Sequence, residues 1–149
     1  MADQEKKTFT GSCHCAAIRY TVRLALPTPP IATRCNCTIC LKTNYTGLQV
    51  PPADFTLVSP ASEADVRDYQ WRSKDAHRFY CDNCGVHVFS RTKYEVGGQE
   101  VNGFGINIVT LDQPQEGLDL SRFEIRYWDG RGDNWMAGQK SAPYPGGCI

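Results

Sequence analysis

The chain has 149 residues, and its 16 Lys and Arg are balanced by 16 Asp and Glu for a formal net charge of zero. That length suits one domain with short tails, and the lack of any Lys/Arg-rich block argues against nucleic acid as a partner. At 41% hydrophobic the chain can bury a core. No apolar run approaches the roughly 20 residues that span a bilayer, and the opening "MADQEKKTF" lacks an apolar signal core. A cytoplasmic protein with no membrane partner is therefore expected.

Strand patterns dominate in chain order. "AIRYTV" (17–22) and "DFTLV" (54–58) alternate apolar with polar residues. "DYQWRS" (68–73) sets Tyr69 and Trp71 on one face, with Gln70 and Arg72 on the other. "VHVF" (86–89) follows, then "GFGINIVTL" (103–111), in which Phe104, Ile106 and Ile108 share a face. "RFEIRYW" (122–128) is the last strand expected. Turn signals separate these segments at "LPTPP" (26–30), "VPP" (50–52), "VSPAS" (58–62), "VGGQ" (96–99) and "WDGRGDN" (128–134). No segment keeps a helical period over 11 residues. One or two turns of helix after Cys37 and a short piece near 114–119 are the helices expected, and the tail "SAPYPGGCI" reads as irregular. The pattern predicts a mainly β domain with few short helices.

Seven of the eight cysteines fall into three tight groups, "CHC" (13–15), "CNCTIC" (35–40) and "CDNC" (81–84). Disulfides are disfavoured in a reducing compartment, and the closest pairs have poor geometry for bridging. Thiolates at these spacings select zinc or an iron–sulfur cluster. A closed structural zinc takes four protein ligands, whereas a catalytic zinc keeps three and leaves one position open. Seven cysteines divide naturally as four plus three. Cys35, Cys37 and Cys40 lie on one loop and can cap one metal as a tripod. Cys13, Cys15, Cys81 and Cys84 come from distant segments and would staple them at a second. An iron–sulfur cluster, or two structural zincs with His14, His77 or Cys148 closing the second, stand as alternatives. His14 reads as a turn residue, His87 as a solvent-facing strand residue, His77 as a structural residue that stands nearest a site of the three, and Cys148 as a stray thiol.

"GSCHC" (11–15), "CNCTICLK" (35–42) and "HRFYCDNCGVHVF" (77–89) resemble the signature of the glutathione-dependent formaldehyde-activating enzyme family, also called the CENP-V/GFA family. "DFTLVSP" (54–60) and "YWDGRGDNW" (127–135) add weaker support. The resemblance implies a single β-tent domain of antiparallel sheets around zinc over residues 9–136. An N-terminal tail (1–8) and an irregular C-terminal tail (137–149) would flank it. It implies two zinc ions: a structural one on Cys13, Cys15, Cys81 and Cys84, and a catalytic one on Cys35, Cys37 and Cys40. It also implies a carbon–sulfur lyase-type activity, joining formaldehyde to glutathione as S-hydroxymethylglutathione.

Three thiolates leave a divalent zinc with a formal charge of −1. Such a site is a weaker Lewis acid than a three-histidine zinc, which disfavours hydrolysis by metal hydroxide. It suits a soft thiol, held as thiolate beside a carbonyl. The expected partner is a small thiol or carbonyl compound, with glutathione the one the family names. Arg34, Lys42, Arg72 and Arg78 are candidate anion anchors, and Trp71, Trp128 and Trp135 serve as pocket walls or core. The alternatives are a zinc lyase or isomerase acting on another carbonyl metabolite, and a zinc-stapled binding module without catalysis.

Overall fold

The computed structural model describes residues 4–72 and 74–149. Among the described residues, ten strands form two sheets, accompanied by one short α-helix. Strands β1 (Lys7–Ser12), β2 (Arg19–Leu24) and β5 (Phe55–Ser59) make a three-stranded antiparallel sheet in the order β1-β2-β5. The larger sheet adds β3 (Ile31–Cys35), β4 (Gly47–Gln49), β6 (Arg67–Gln70), β7 (Ala76–Tyr80), β8 (His87–Val96), β9 (Gln99–Asn107) and β10 (Glu124–Trp128). Its order is β10-β3-β4-β9-β8-β7-β6. Every pair in it is antiparallel except β10 with β3, so the expected antiparallel architecture carries one parallel edge. The helix α1 (Thr38–Thr43) follows Cys37, where a turn or two of helix was expected.

The alternation of β2 sets the core. Tyr20, Val22 and Leu24 are buried while Arg19 and Arg23 face solvent. Across the gap, Phe79, Phe89, Phe104 and Ile106 of the larger sheet are also buried. Phe55 joins the layers, with ring centroids 5.1 Å from Tyr20, 5.0 Å from Phe89 and 4.8 Å from Phe104. Buried aromatic pairs at such distances add about 0.5–1.5 kcal/mol each beyond the area they bury. Gly11 lets β1 cross directly over Tyr20; a Cβ there would overlap the phenol ring. The Tyr20 hydroxyl in turn meets Thr110 Oγ1 at 2.8 Å. Phe104, Ile106 and Ile108 are all buried, the first two on one face of β9 and Ile108 in the turn that follows it.

Several local expectations are corrected. The segment near 114–119 is not helical: Gln115 and Leu118 bridge across a turn at Gly117, whose φ of +81° suits glycine. The run 103–111 is strand only to Asn107, and Ile108–Thr110 tighten into a 3₁₀ turn. The strand expected over 68–73 ends at Gln70, Trp71 stacking on Tyr69 at 5.4 Å, and Ser73 lies outside the described residues. Met1–Asp3 of the expected N-terminal tail also lie outside them. No helix is long and apolar enough to cross a membrane among the described residues.

Candidate metal centres

Both cysteine sets expected from the spacing are assembled in space. The sulfurs of Cys13, Cys15, Cys81 and Cys84 lie within 4.8 Å of one another, and so do those of Cys35, Cys37 and Cys40. All eight cysteines are free thiols.

The four-cysteine set is built from two facing turns. Cys13 and Cys15 occupy the β1–β2 connection, where Cys13 N–H bonds the Ile18 carbonyl at 3.0 Å. Cys81 and Cys84 occupy the β7–β8 connection, closed by Gly85 N–H to the Cys81 carbonyl at 2.8 Å. Gly85 has φ of +76°, a conformation that costs glycine little. Each turn aims a backbone N–H at sulfur: Ile18 to Cys13 Sγ at 3.3 Å and Cys84 to Cys81 Sγ at 3.5 Å. Zn–S bonds of about 2.3 Å in a tetrahedron set sulfurs roughly 3.8 Å apart. The observed separations of 3.7 Å for Cys13–Cys15 and 3.5 Å for Cys15–Cys81 fit that spacing. The thiols divide in acidity. Burial raises Cys13 to about 12. Burial also acts against Cys84, but the Val86 and Cys15 backbone N–H groups, with the neighbouring thiols, outweigh it and lower Cys84 to about 6. The set can hold a metal ion as a closed four-sulfur site.

The three-cysteine set is local. Cys35 ends β3, Cys37 is the N-cap residue of α1, and Cys40 follows three residues later on the same helical face. The helix stops after six residues because Asn44 turns left-handed, at φ 53°. Cys37 N–H points at Cys35 Sγ at 3.4 Å. The Cys37 thiol is driven down to about 2 by hydrogen bonds from the Cys35 and Cys40 thiols and from backbone, helped by the positive charge of Arg78. Cys35 and Cys40 shift upward, chiefly because each shares a proton within the trio. The donor set fits a soft divalent metal with three protein ligands.

The C-terminal region clamps this loop. Asn36, between two of the cysteines, is buried at 2% exposure. Its Nδ2 donates to Asp129 Oδ1 at 2.8 Å, and its Oδ1 accepts from Arg131 N–H at 2.9 Å. Gly130 lies directly on Cys35 Sγ, where any Cβ would overlap the sulfur. Trp128 and Trp135 pack against each other at 5.7 Å beside it. "YWDGRGDNW", a weak motif in the sequence, is therefore a wall of the site. Cys148 joins neither set; its thiol donates to the Cys35 carbonyl at 3.3 Å.

Of the four candidate anion anchors, the structure brings Arg78 into contact with the site, its Nη2 donating to Cys40 Sγ at 3.4 Å. Arg34 reaches the Ile149 carbonyl at 2.8 Å, while Lys42 and Arg72 are exposed. Of the histidines, His87 departs from expectation. His14 is exposed. His77 is held by Asp68, Nδ1 to Oδ2 at 2.6 Å, and serves the β6–β7 pair rather than a metal. His87 does not face solvent: it is half-buried and stacks on Tyr80 at 5.3 Å, and its Nδ1 is buried without a partner. Burial first, then the Arg78 charge, lowers its pKa.

The family model described as "Glutathione-dependent formaldehyde-activating enzyme" matches residues 8–123. Among solved structures, the chain resembles a Rhodobacter sphaeroides protein determined by crystallography as a Northeast Structural Genomics target. The two are 24% identical with a TM-score of 0.55, over 75% of this chain and 92% of that one, a likeness of fold.

Proposed function

The chain belongs to the glutathione-dependent formaldehyde-activating enzyme family, and from that premise we propose a zinc enzyme that makes and breaks thiol–carbonyl adducts such as S-hydroxymethylglutathione. In this reading Cys13, Cys15, Cys81 and Cys84 hold a structural zinc. Cys35, Cys37 and Cys40 hold the catalytic one. The observation that carries the reading is the inequality of the two sets, four converging sulfurs against three. Zinc bound to three cysteines supplies one open, soft position suited to a thiol.

The chain's own residues do the rest. Asn36, Asp129 and Gly130 hold the loop that carries the three sulfurs. The adjacent guanidinium of Arg78 favours negative charge at the sulfurs. In the forward direction the thiol loses its proton, its sulfur bonds the aldehyde carbon, and the carbonyl oxygen gains a proton to give the hemithioacetal. The reverse breaks that carbon–sulfur bond, the lyase direction. Eight reduced cysteines suit a cytoplasmic setting.

Exchange among formaldehyde, glutathione and S-hydroxymethylglutathione, followed by NMR exchange spectroscopy, tests the proposal. The spontaneous reaction is fast, so Cys37→Ala protein is the blank. Faster exchange with the wild type is expected; equal rates would remove glutathione as substrate.

A further inference from the structure

Arg78 occupies an unusual position on the outer face of the larger sheet. Its strand neighbour there is Ser90, whose hydroxyl lies 3.2 Å from that of buried Tyr45. The Arg78 guanidinium sits 4.9 Å over the Tyr45 ring and donates to Cys40 Sγ. No carboxylate pairs with it among the described residues, and its Nε is buried without a hydrogen-bond partner. A structural arginine at half-burial ordinarily meets a carboxylate or carbonyl, because an unmatched buried N–H is costly. Here the cation faces sulfur, and beside it the His87 Nδ1 is also buried and unmatched.

Charge counting gives this placement a purpose. Three thiolates and a divalent metal leave −1, so a thiolate arriving as fourth ligand would raise the total to −2. The guanidinium brings the filled site back to −1 and the unfilled site to zero. We propose that Arg78 is the charge-compensating residue of the three-cysteine site, selecting an anionic sulfur ligand over a neutral one. It is a positioning residue, acting through the cysteines and the fourth ligand. The inference rests on the metal reading above and deepens it.

The test uses the full chain loaded with cobalt(II), whose thiolate charge-transfer absorption reports the ligand directly. 2-Mercaptoethanol and imidazole are titrated as anionic and neutral probes at one pH. A hydrogen bond to a charged group is worth enough that Arg78→Met should weaken mercaptoethanol binding by roughly 10–100-fold. Imidazole binding should change by less than about twofold, since no charge is added. Arg78→Lys, which keeps the charge but loses the planar fork, should recover part of the loss. If Arg78→Met retains only one cobalt, Arg78→Gln is read in its place by the same ratio. Equal loss for both probes, or no loss for the thiol, overturns the proposal. Wild-type selectivity for thiol without glutathione exchange would leave it standing and remove the proposed activity. The opposite pattern would remove this inference alone.

Discussion

The four-cysteine cluster joins segments that are far apart in the chain, with Cys15 and Cys81 separated by 66 positions, whereas Cys35, Cys37 and Cys40 share six residues. Closing a long loop removes more chain freedom than closing a short one, by a margin that grows slowly with length. The first cluster ties the β1–β2 turn of the small sheet to the β7–β8 turn of the large one, so its metal would be part of the fold. The second sits on a loop already held by β3, α1 and the Asn36–Asp129 clamp, so its metal would be an addition to a finished scaffold. The difference teaches that identical donor atoms can be assembled in two ways, one set brought together across the chain and the other held by the contacts around a single loop.

The comparison is broken most severely by Cys81→Ala. Structural zinc supplies about 10–16 kcal/mol of apparent binding energy coupled to folding. A domain has only about 5–15 kcal/mol in all. Thermal melts and light scattering should show unfolding or aggregation. Cys37→Ala should lose one zinc per chain by metal analysis, together with catalysed exchange, yet keep a cooperative melt within a few kcal/mol of wild type. If the two variants behaved the other way round, the division of roles would be reversed.

A finer break is Gly130→Ala. The new methyl must displace Cys35 Sγ or Trp135, whose ring lies 2.8 Å from the added atom. Chelator competition should show zinc affinity at the three-cysteine site reduced by about 10–100-fold, as for other residues that position metal ligands. The four-cysteine site should be unaffected.

The smallest effect belongs to Asp129→Asn. The Asn36 amide first, then Asn134 and the Gly132 backbone, hold the Asp129 carboxyl below its ordinary 3.8. A lowered carboxyl pKa stabilises the fold above 3.8 and stops doing so as pH falls through the lower folded value. The Asn36 side-chain amide signals should therefore be ordered at neutral pH in the wild type and less so in the variant. That difference should shrink well below pH 3.8.

Much of this organisation is legible in the sequence. β2, β5 and β10 announce themselves by alternation or by aromatic and β-branched residues. β3 and β7 do not: "IATRC" and "AHRFY" become strands because β10, β4, β6 and β8 pair with them, a tertiary effect. The hairpin from Arg91 to Asn102 alternates Tyr94 and Val96 on one strand, with Val101 paired to Tyr94 across the other, yet Tyr94 and Val96 stay exposed; Gly97 and Gly98, both at positive φ, mark its turn. At the site, the three cysteine groups are readable because the spacing within each is local, and the count of seven suggests the four-plus-three division, whereas the meeting of Cys15 with Cys81 spans 66 positions. Asn36 with Asp129, 93 positions apart, and Arg78 with Cys40, 38 apart, act through contacts that only the fold creates. His87 was misplaced because the strand pattern gives one face to solvent, and here that face is partly covered beside Arg78 and Tyr80.

X-ray absorption at the zinc edge, combined with metal analysis of the same sample, tests the division of the cysteines most directly. Two zincs per chain should share seven sulfur ligands, four at one and three at the other, with a single lighter ligand completing the second. One zinc per chain, or eight sulfurs with Cys148 filling the open position, would contradict it.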